Sequence, residues 1–213
     1  MTADRLVLWR HGQTDWNVTS RFQGQADIPL NPTGRAQARE ASNVLATLRP
    51  TALWASDLER TRDTAAALTA VTGLPARLDK RLREIHVGAW EGLTGAEVGA
   101  SDPEAYAGLR RGEDVRRSAT GETVSEVGER VAEALTEIAA EAADDATVVV
   151  TTHGLAGRAG MCRLLGLPFA HWRTFGSLEN CAWAVLQRHH VGGYWRVAEY
   201  DVVGPPVVRE TIS

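Results

Sequence analysis

Short strand-like apolar runs alternate along this chain with stretches in which apolar residues recur every three or four positions. Leu6-Val7-Leu8-Trp9 reads as a strand that ends at Arg10-His11-Gly12. The polar, glycine-containing stretch from Gln13 to Pro32 is long for a connection, and connections of that length usually carry function. Thr33 is expected to cap a helix through Ala36, Ala38, Ala41, Val44, Leu45 and Leu48, which Pro50 stops. A second strand, Ala52-Leu53-Trp54-Ala55, leads into Ser56. Ser56 and Glu59 have the spacing of a capping box for a helix reaching Val71 and closed by Gly73 and Pro75. A third short strand is expected around Ala76 to Leu78.

From Arg83 to Gly121 glycine and charge dominate and no period is clean, so short helices and loops are expected, forming a cap-like insertion at about residues 85–121. Thr123 and Glu126 have capping-box spacing ahead of a helix through Val127, Val131, Ala134, Leu135 and Ile138. Thr147 to Thr152 is almost continuously apolar and β-branched, as a strand covered on both faces reads. It ends at His153-Gly154, and a helix to Leu165 is expected next. Strands near Ala182 to Leu186 and Trp195 to Tyr200 flank Gly192-Gly193 as a hairpin, and the tail from Gly204 reads as irregular.

This alternation predicts an α/β fold: a three-layer α/β/α sandwich with a mostly parallel central sheet and a small cap, one domain over residues 1–213. In such sheets ligands sit beyond the carboxyl ends of the strands. Arg10, His11, Ser56, Arg60 and His153 all fall at or just after predicted strand ends, so separate strands deliver polar groups to one edge.

Composition narrows the function classes. The 213 residues carry a formal net charge of -4, which gives no electrostatic case for nucleic acid or an anionic membrane as partner. No apolar run reaches membrane-spanning length, and Met1 to Arg5 leads into Leu6 without the basic and apolar regions of a signal peptide. Two cysteines, Cys162 and Cys181, fit reduced thiols in a cytoplasmic protein. Most of the seven tryptophans are expected in core or pocket wall.

The strand-end residues permit phosphoryl transfer. Arg10 and Arg60 present planar, permanently charged forks that fit phosphate oxygens. A neutral His11 can attack phosphorus if a backbone acceptor fixes its tautomer, and His153 can donate to the transferring oxygens. Glu84, in the polar loop Leu82-Arg83-Glu84-Ile85-His86, is the candidate to protonate the leaving alkoxide and then deprotonate water. A metal between the histidines is disfavoured, because no carboxylate or thiol accompanies either at ligand spacing and the arginines repel a cation.

Leu8-Trp9-Arg10-His11-Gly12-Gln13-Thr14-Asp15-Trp16-Asn17 resembles the signature of the histidine phosphatase superfamily, the phosphoglycerate-mutase-like enzymes. The likeness continues through Phe22-Gln23-Gly24, Ser56-Asp57-Leu58-Glu59-Arg60, Glu84 with Gly88-Ala89-Trp90-Glu91-Gly92, Thr152-His153-Gly154 and Asn180, in order over nearly the whole chain. It implies that His11 becomes phosphorylated, that Arg10, Arg60 and His153 surround the phosphoryl group, and that Glu84 is acid and base. It further implies phosphate or substrate contacts at Asn17, Thr14, Gln23, Gly24, Gly154 and Leu155, no metal or organic cofactor, a small-molecule phosphomonoester as substrate, and a homodimer. Two departures count. Members often have a second glycine where this chain has Leu155, leaving only a backbone amide to hold phosphate there. The insertion that holds a bisphosphate in the mutases is also missing after Glu84, although Arg110, Arg111, Arg116 and Arg117 supply charge nearby. By default those four arginines read as a solvated cap, with substrate contact as the alternative. The stretches Arg10 to Asp15, Arg21 to Gln25 and Arg83 to Gly88 are most similar to actinobacterial phosphatases of the family, implying a phosphorylated sugar or carboxylic acid as substrate. A mutase-type phosphotransferase and a phosphoprotein phosphatase are the alternative readings.

Overall fold

The computed structural model describes residues 2–189 and 191–204. The tail expected to be irregular lies, beyond Gly204, outside the described residues, as does His190.

Six strands form one sheet: β1 (Arg5–Arg10), β2 (Ala52–Ala55), β3 (Ala76–Leu78), β4 (Thr147–Thr152), β5 (Trp183–Arg188) and β6 (Trp195–Val202), in the order β3-β2-β4-β1-β5-β6. The first four in that order run parallel, and the β5–β6 hairpin adds an antiparallel flank. The helices are α1 (Asp15–Val18), α2 (Pro32–Thr47), α3 (Glu59–Thr72), α4 (Gly95–Ser101), α5 (Pro103–Arg111), α6 (Val124–Glu141) and α7 (Gly154–Leu164).

Alternation along β1 separates the two cores. Val7 and Trp9 pack with Ala38, Ala41 and Leu45 of α2 and with Ala65 and Leu68 of α3. Leu6 and Leu8 face the other way, onto Val127, Val131, Leu135 and Ile138 of α6 and Ala156 and Ala159 of α7. The sheet is therefore covered on both faces, and β4 is buried along its whole length, as its unbroken apolar run predicts. The sandwich expected from the sequence is the observed fold, and α4 and α5 with one short 3-10 turn, Gly88–Trp90, occupy the region expected to form the cap.

Two local expectations are corrected. Helix α2 begins at Pro32, not after Thr33: Asn31 is its cap, with its side chain accepting from the Gly34 N–H at 2.8 Å, and proline suits the first helical position because its missing N–H has no intrahelical partner anyway. The Ser56–Glu59 capping box does not form. Leu58 precedes α3 without a side-chain cap, and the Ser56 hydroxyl serves a histidine instead. Within the long polar connection, Thr14 and Asn17 form a reciprocal capping box that starts the single-turn α1.

Candidate active site

Strand register assembles the site. Arg10 pairs with Thr152 across β1 and β4, so the next residues, His11 and His153, emerge side by side with ring centroids 5.2 Å apart. Ala55 pairs with Thr151 across β2 and β4, so Ser56 arrives beside His153, its Oγ 3.0 Å from Nε2. Both histidines are buried.

The His11 Nδ1 lies 2.7 Å from the Gly12 carbonyl oxygen and donates to it, since a carbonyl can only accept. That bond selects the tautomer with Nε2 unprotonated. The turn is fixed by close packing: a Cβ on Gly12 would lie 2.4 Å from the Gly34 carbonyl oxygen, so the β1 end and the start of α2 approach closer than any side chain allows. The Asn180 amide holds the His11 carbonyl at 3.1 Å. Burial, reinforced by Arg60 and Arg10, pushes the His11 pKa well below its ordinary value and keeps the ring neutral. Burial does the same to His153, again helped by Arg60.

Arg60, in the first turn of α3, is fully buried and has no carboxylate partner among the described residues. Its Nη1 and Nη2 donate to the carbonyls of Ala26 and Gly24 at 2.7 and 2.8 Å, and its Nε to His153 Nδ1 at 3.3 Å. Burial lowers its pKa to about 10, against the opposing fields of Glu84 and Asp27. Arg10 is anchored by a short hydrogen bond to the Leu178 carbonyl, and its buried Nε has no partner among the described residues.

These groups open on a pocket of about 380 Å³. Arg10, His11, Asn17, Gln23, Gly24, Arg60, Glu84, Gly154 and Leu155, all expected at the site, line it. The buried Gln23 Oε1 has no partner among the described residues, and Asn17 turns Oδ1 back to Thr14 and Asn180. Three expectations are corrected. His153, expected to donate to the transferring oxygens, does not line the pocket: its Nδ1 accepts from Arg60 and its Nε2 meets the Ser56 hydroxyl. Thr14 is fully buried and does not line the pocket; as the cap of α1 it holds Asn17. The Leu155 amide, expected on phosphate, donates to Glu84 Oε2 at 3.2 Å, while the Ala156 and Ile85 amides donate to Oε1 at 3.0 and 2.9 Å. The carboxylate thus occupies the positive end of α7, where an anion is favoured, and leaves only the Leu155 side chain for the pocket wall.

Sequence reasoning missed Ser56 as the partner of His153 and Ser177 in the lining, and Arg117, expected by default in a solvated cap, is buried and lines the pocket instead. Nothing periodic marks these positions; only register and loop packing do. The His86 Nδ1 faces the Thr120 carbonyl at 3.0 Å, and its ring does not line the pocket. Among the described residues no group of three or more His, Cys, Asp or Glu side chains could hold a metal ion, and no helix is long and apolar enough to cross a membrane.

A sequence model described as the Histidine phosphatase superfamily (branch 1) matches residues 6–201. The chain belongs to this superfamily. It is 41% identical to a glucosyl-3-phosphoglycerate phosphatase of Mycobacterium tuberculosis over 91% of this chain and 89% of that protein. It is 33% identical to a metal-independent phosphoserine phosphatase of Arabidopsis thaliana, over 83% of this chain and 73% of that one. A solved mycobacterial glucosyl-3-phosphoglycerate phosphatase in complex with VO3 has a TM-score of 0.87 at 39% identity, covering 94% of this chain and 100% of that one. This histidine phosphatase is an enzyme that hydrolyses phosphate monoesters, with a small phosphate ester as its substrate.

Proposed function

We propose that the enzyme hydrolyses a phosphorylated sugar acid of the glucosyl-3-phosphoglycerate type through a phosphohistidine at His11. The observation that carries this reading is the hydrogen bond from His11 Nδ1 to the Gly12 carbonyl, which leaves Nε2 unprotonated in a pocket shared with Arg10, Arg60 and Glu84. Nε2 attacks phosphorus, the ester P–O bond breaks, and protonated Glu84 gives its proton to the departing alkoxide. Glu84 then takes a proton from water as the water oxygen attacks phosphorus, the P–N bond breaks, and inorganic phosphate leaves. Arg10, Arg60 and Asn17 hold the oxygens of the transferring group, and His153 positions Arg60, whose Nε donates to its Nδ1. Gln23 and Gly24 line the substrate side, and Gly154 keeps space beside Arg10, whose Cζ would lie 3.4 Å from a Cβ there.

Support for the substrate type is the similarity to the mycobacterial enzyme. A mutase reading has less support: Arg110, Arg111 and Arg116 are exposed, and Arg111 and Arg116 pair with Glu113 and Glu126. We read the chain as one domain with a cap, acting as a homodimer in the cytoplasm without nucleic acid. The resemblance supports the dimer, and two free buried cysteines fit a reducing compartment.

Brief mixing with ³²P-labelled substrate is expected to leave acid-labile, base-stable label on the wild-type protein. His11→Ala is expected to fold, take no label and lose turnover. Near-wild-type turnover in that variant would end the covalent mechanism.

A further inference from the structure

The cap arginines do not share one environment. Arg116 turns outward to Glu126 at 2.5 Å and Arg111 to Glu113 at 2.6 Å, both exposed. Arg117, next in sequence to Arg116, is only 3% exposed and lines the same pocket as His11. Among the described residues it forms no ion pair. Its one side-chain hydrogen bond runs from Nη1 to the Val115 carbonyl at 3.0 Å, so Nε and Nη2 have no protein acceptor.

This placement is built into the cap. The Arg117 N–H donates to the Glu122 carbonyl at 3.0 Å, and the turn closes so tightly that a Cβ on Gly121 would lie 1.8 Å from the Arg117 carbonyl oxygen. The guanidinium carbon lies 5.8 Å from the Trp90 ring centroid, with Leu109 and Phe22 also on the pocket wall. A buried, unpaired cation is unfavourable unless something else compensates it. Protein groups do so poorly. Asp114 favours the charged form, but its oxygens accept from the Val124 and Ser125 amides, while Arg173 and Arg158 add repulsion. An anionic ligand would remove that penalty.

Arg10 and Arg60 reach the pocket from the strand ends, beside His11. Arg117 reaches it from the cap, the side left for the rest of the substrate. We propose that Arg117 binds a carboxylate on the leaving group and so makes this enzyme selective for phosphorylated carboxylic acids; the assignment rests on the phosphatase reading above and names the residue that would read the acid. One free guanidinium fork matches one planar monoanion. A second phosphate, carrying about two charges, would exceed it, because Arg21, the other cap-side arginine of the lining, is bonded to the Gly92 carbonyl at 2.6 Å and Glu97 at 3.2 Å.

The test separates binding from turnover. Calorimetry compares ω-phosphonocarboxylates with alkylphosphonates of matching length, and nitrophenyl phosphate hydrolysis is followed in parallel. The wild-type enzyme is expected to bind one phosphonocarboxylate about 10–100-fold more tightly than its uncharged match, the range for a charge-assisted hydrogen-bonded contact. Arg117→Gln is expected to erase that ratio. If this variant does not fold, Arg117→Lys carries the test: it keeps the charge, loses the fork, and should lose a large part of the preference. No preference in the wild type, or an unchanged preference in the variant that folds, overturns the assignment, as does tighter binding of bisphosphonates than of phosphonocarboxylates. Preference without nitrophenyl phosphate hydrolysis would instead refute the phosphatase reading and leave Arg117 as an anion site.

Discussion

Glu84 meets three backbone N–H groups, from Ile85, Leu155 and Ala156, at 2.9 to 3.2 Å, while its side chain borders the pocket. Its carboxyl is thereby aimed, which a proton donor to a departing oxygen requires. An alkoxide leaves poorly without a proton, whereas nitrophenolate leaves unaided. Glu84→Gln is therefore expected to slow alkyl phosphates by roughly 10²–10⁴-fold, the usual worth of general acid catalysis. With nitrophenyl phosphate the same variant should give a burst of nitrophenol and then slow turnover, because water attack on phosphohistidine has lost its base. Rapid-mixing release of nitrophenol beside steady-state rates on an alkyl phosphate reads both effects. Equal, small losses on both substrates would transfer the acid role to another carboxylate.

Helix α6 holds the Glu84 loop from behind. Arg130, two turns into it, donates to the carbonyls of Arg81 and Arg83 at 2.7 Å and of Glu84 at 3.1 Å. The helix starts at a reciprocal capping box, Thr123 with Glu126, which the sequence spacing predicts and the structure contains. Removing one side-chain cap costs about 1 kcal/mol, or roughly 2–4 °C in Tm for a domain of this size. Thr123→Ala is expected to lower Tm by that amount in calorimetry and to leave kcat/KM in place, because Arg130 lies beyond the frayed turn. A fall in kcat/KM with unchanged Tm would show that the cap acts on the site and not on the helix.

At the scale of the whole molecule, two buried neutral histidines tie stability to pH. In the unfolded chain each titrates near its ordinary value of about 6.5, whereas in the folded protein burial and the arginines hold both well below it. Below pH ~6.5 the unfolded state therefore binds more protons, and unfolding free energy rises with pH in that window. The contribution is complete above pH ~6.5 and is lost as pH falls, at up to ~1.4 kcal/mol per pH unit for each histidine. Calorimetry in phosphate-free buffers should show Tm falling between about pH 6.5 and 5, and a His11→Asn, His153→Asn double variant should show a shallower fall. A wild-type Tm flat across that window would mean that the rings are not held neutral.

Much of this enzyme was legible in the residue order. The unbroken Val148-Val149-Val150 run determines a strand buried on both faces, and the placing of His11 and His153 just after strand ends determines where chemistry collects. Short-range patterns suffice there, because periodicity reports which faces of regular elements are buried. Tertiary structure alone decided the rest. Ser56 has the spacing of a cap, yet register sets it beside His153; Thr14 has the place of a ligand, yet it buries itself to hold Asn17. The Leu155 amide goes to Glu84, which lies 71 residues away in sequence. Arg116 and Arg117 are identical neighbours in a stretch without a period, one exposed and one buried. In such a segment the direction of a side chain is set by contacts distant in sequence, here the turn against Gly121 and the ion pair with Glu126, and no local pattern encodes those.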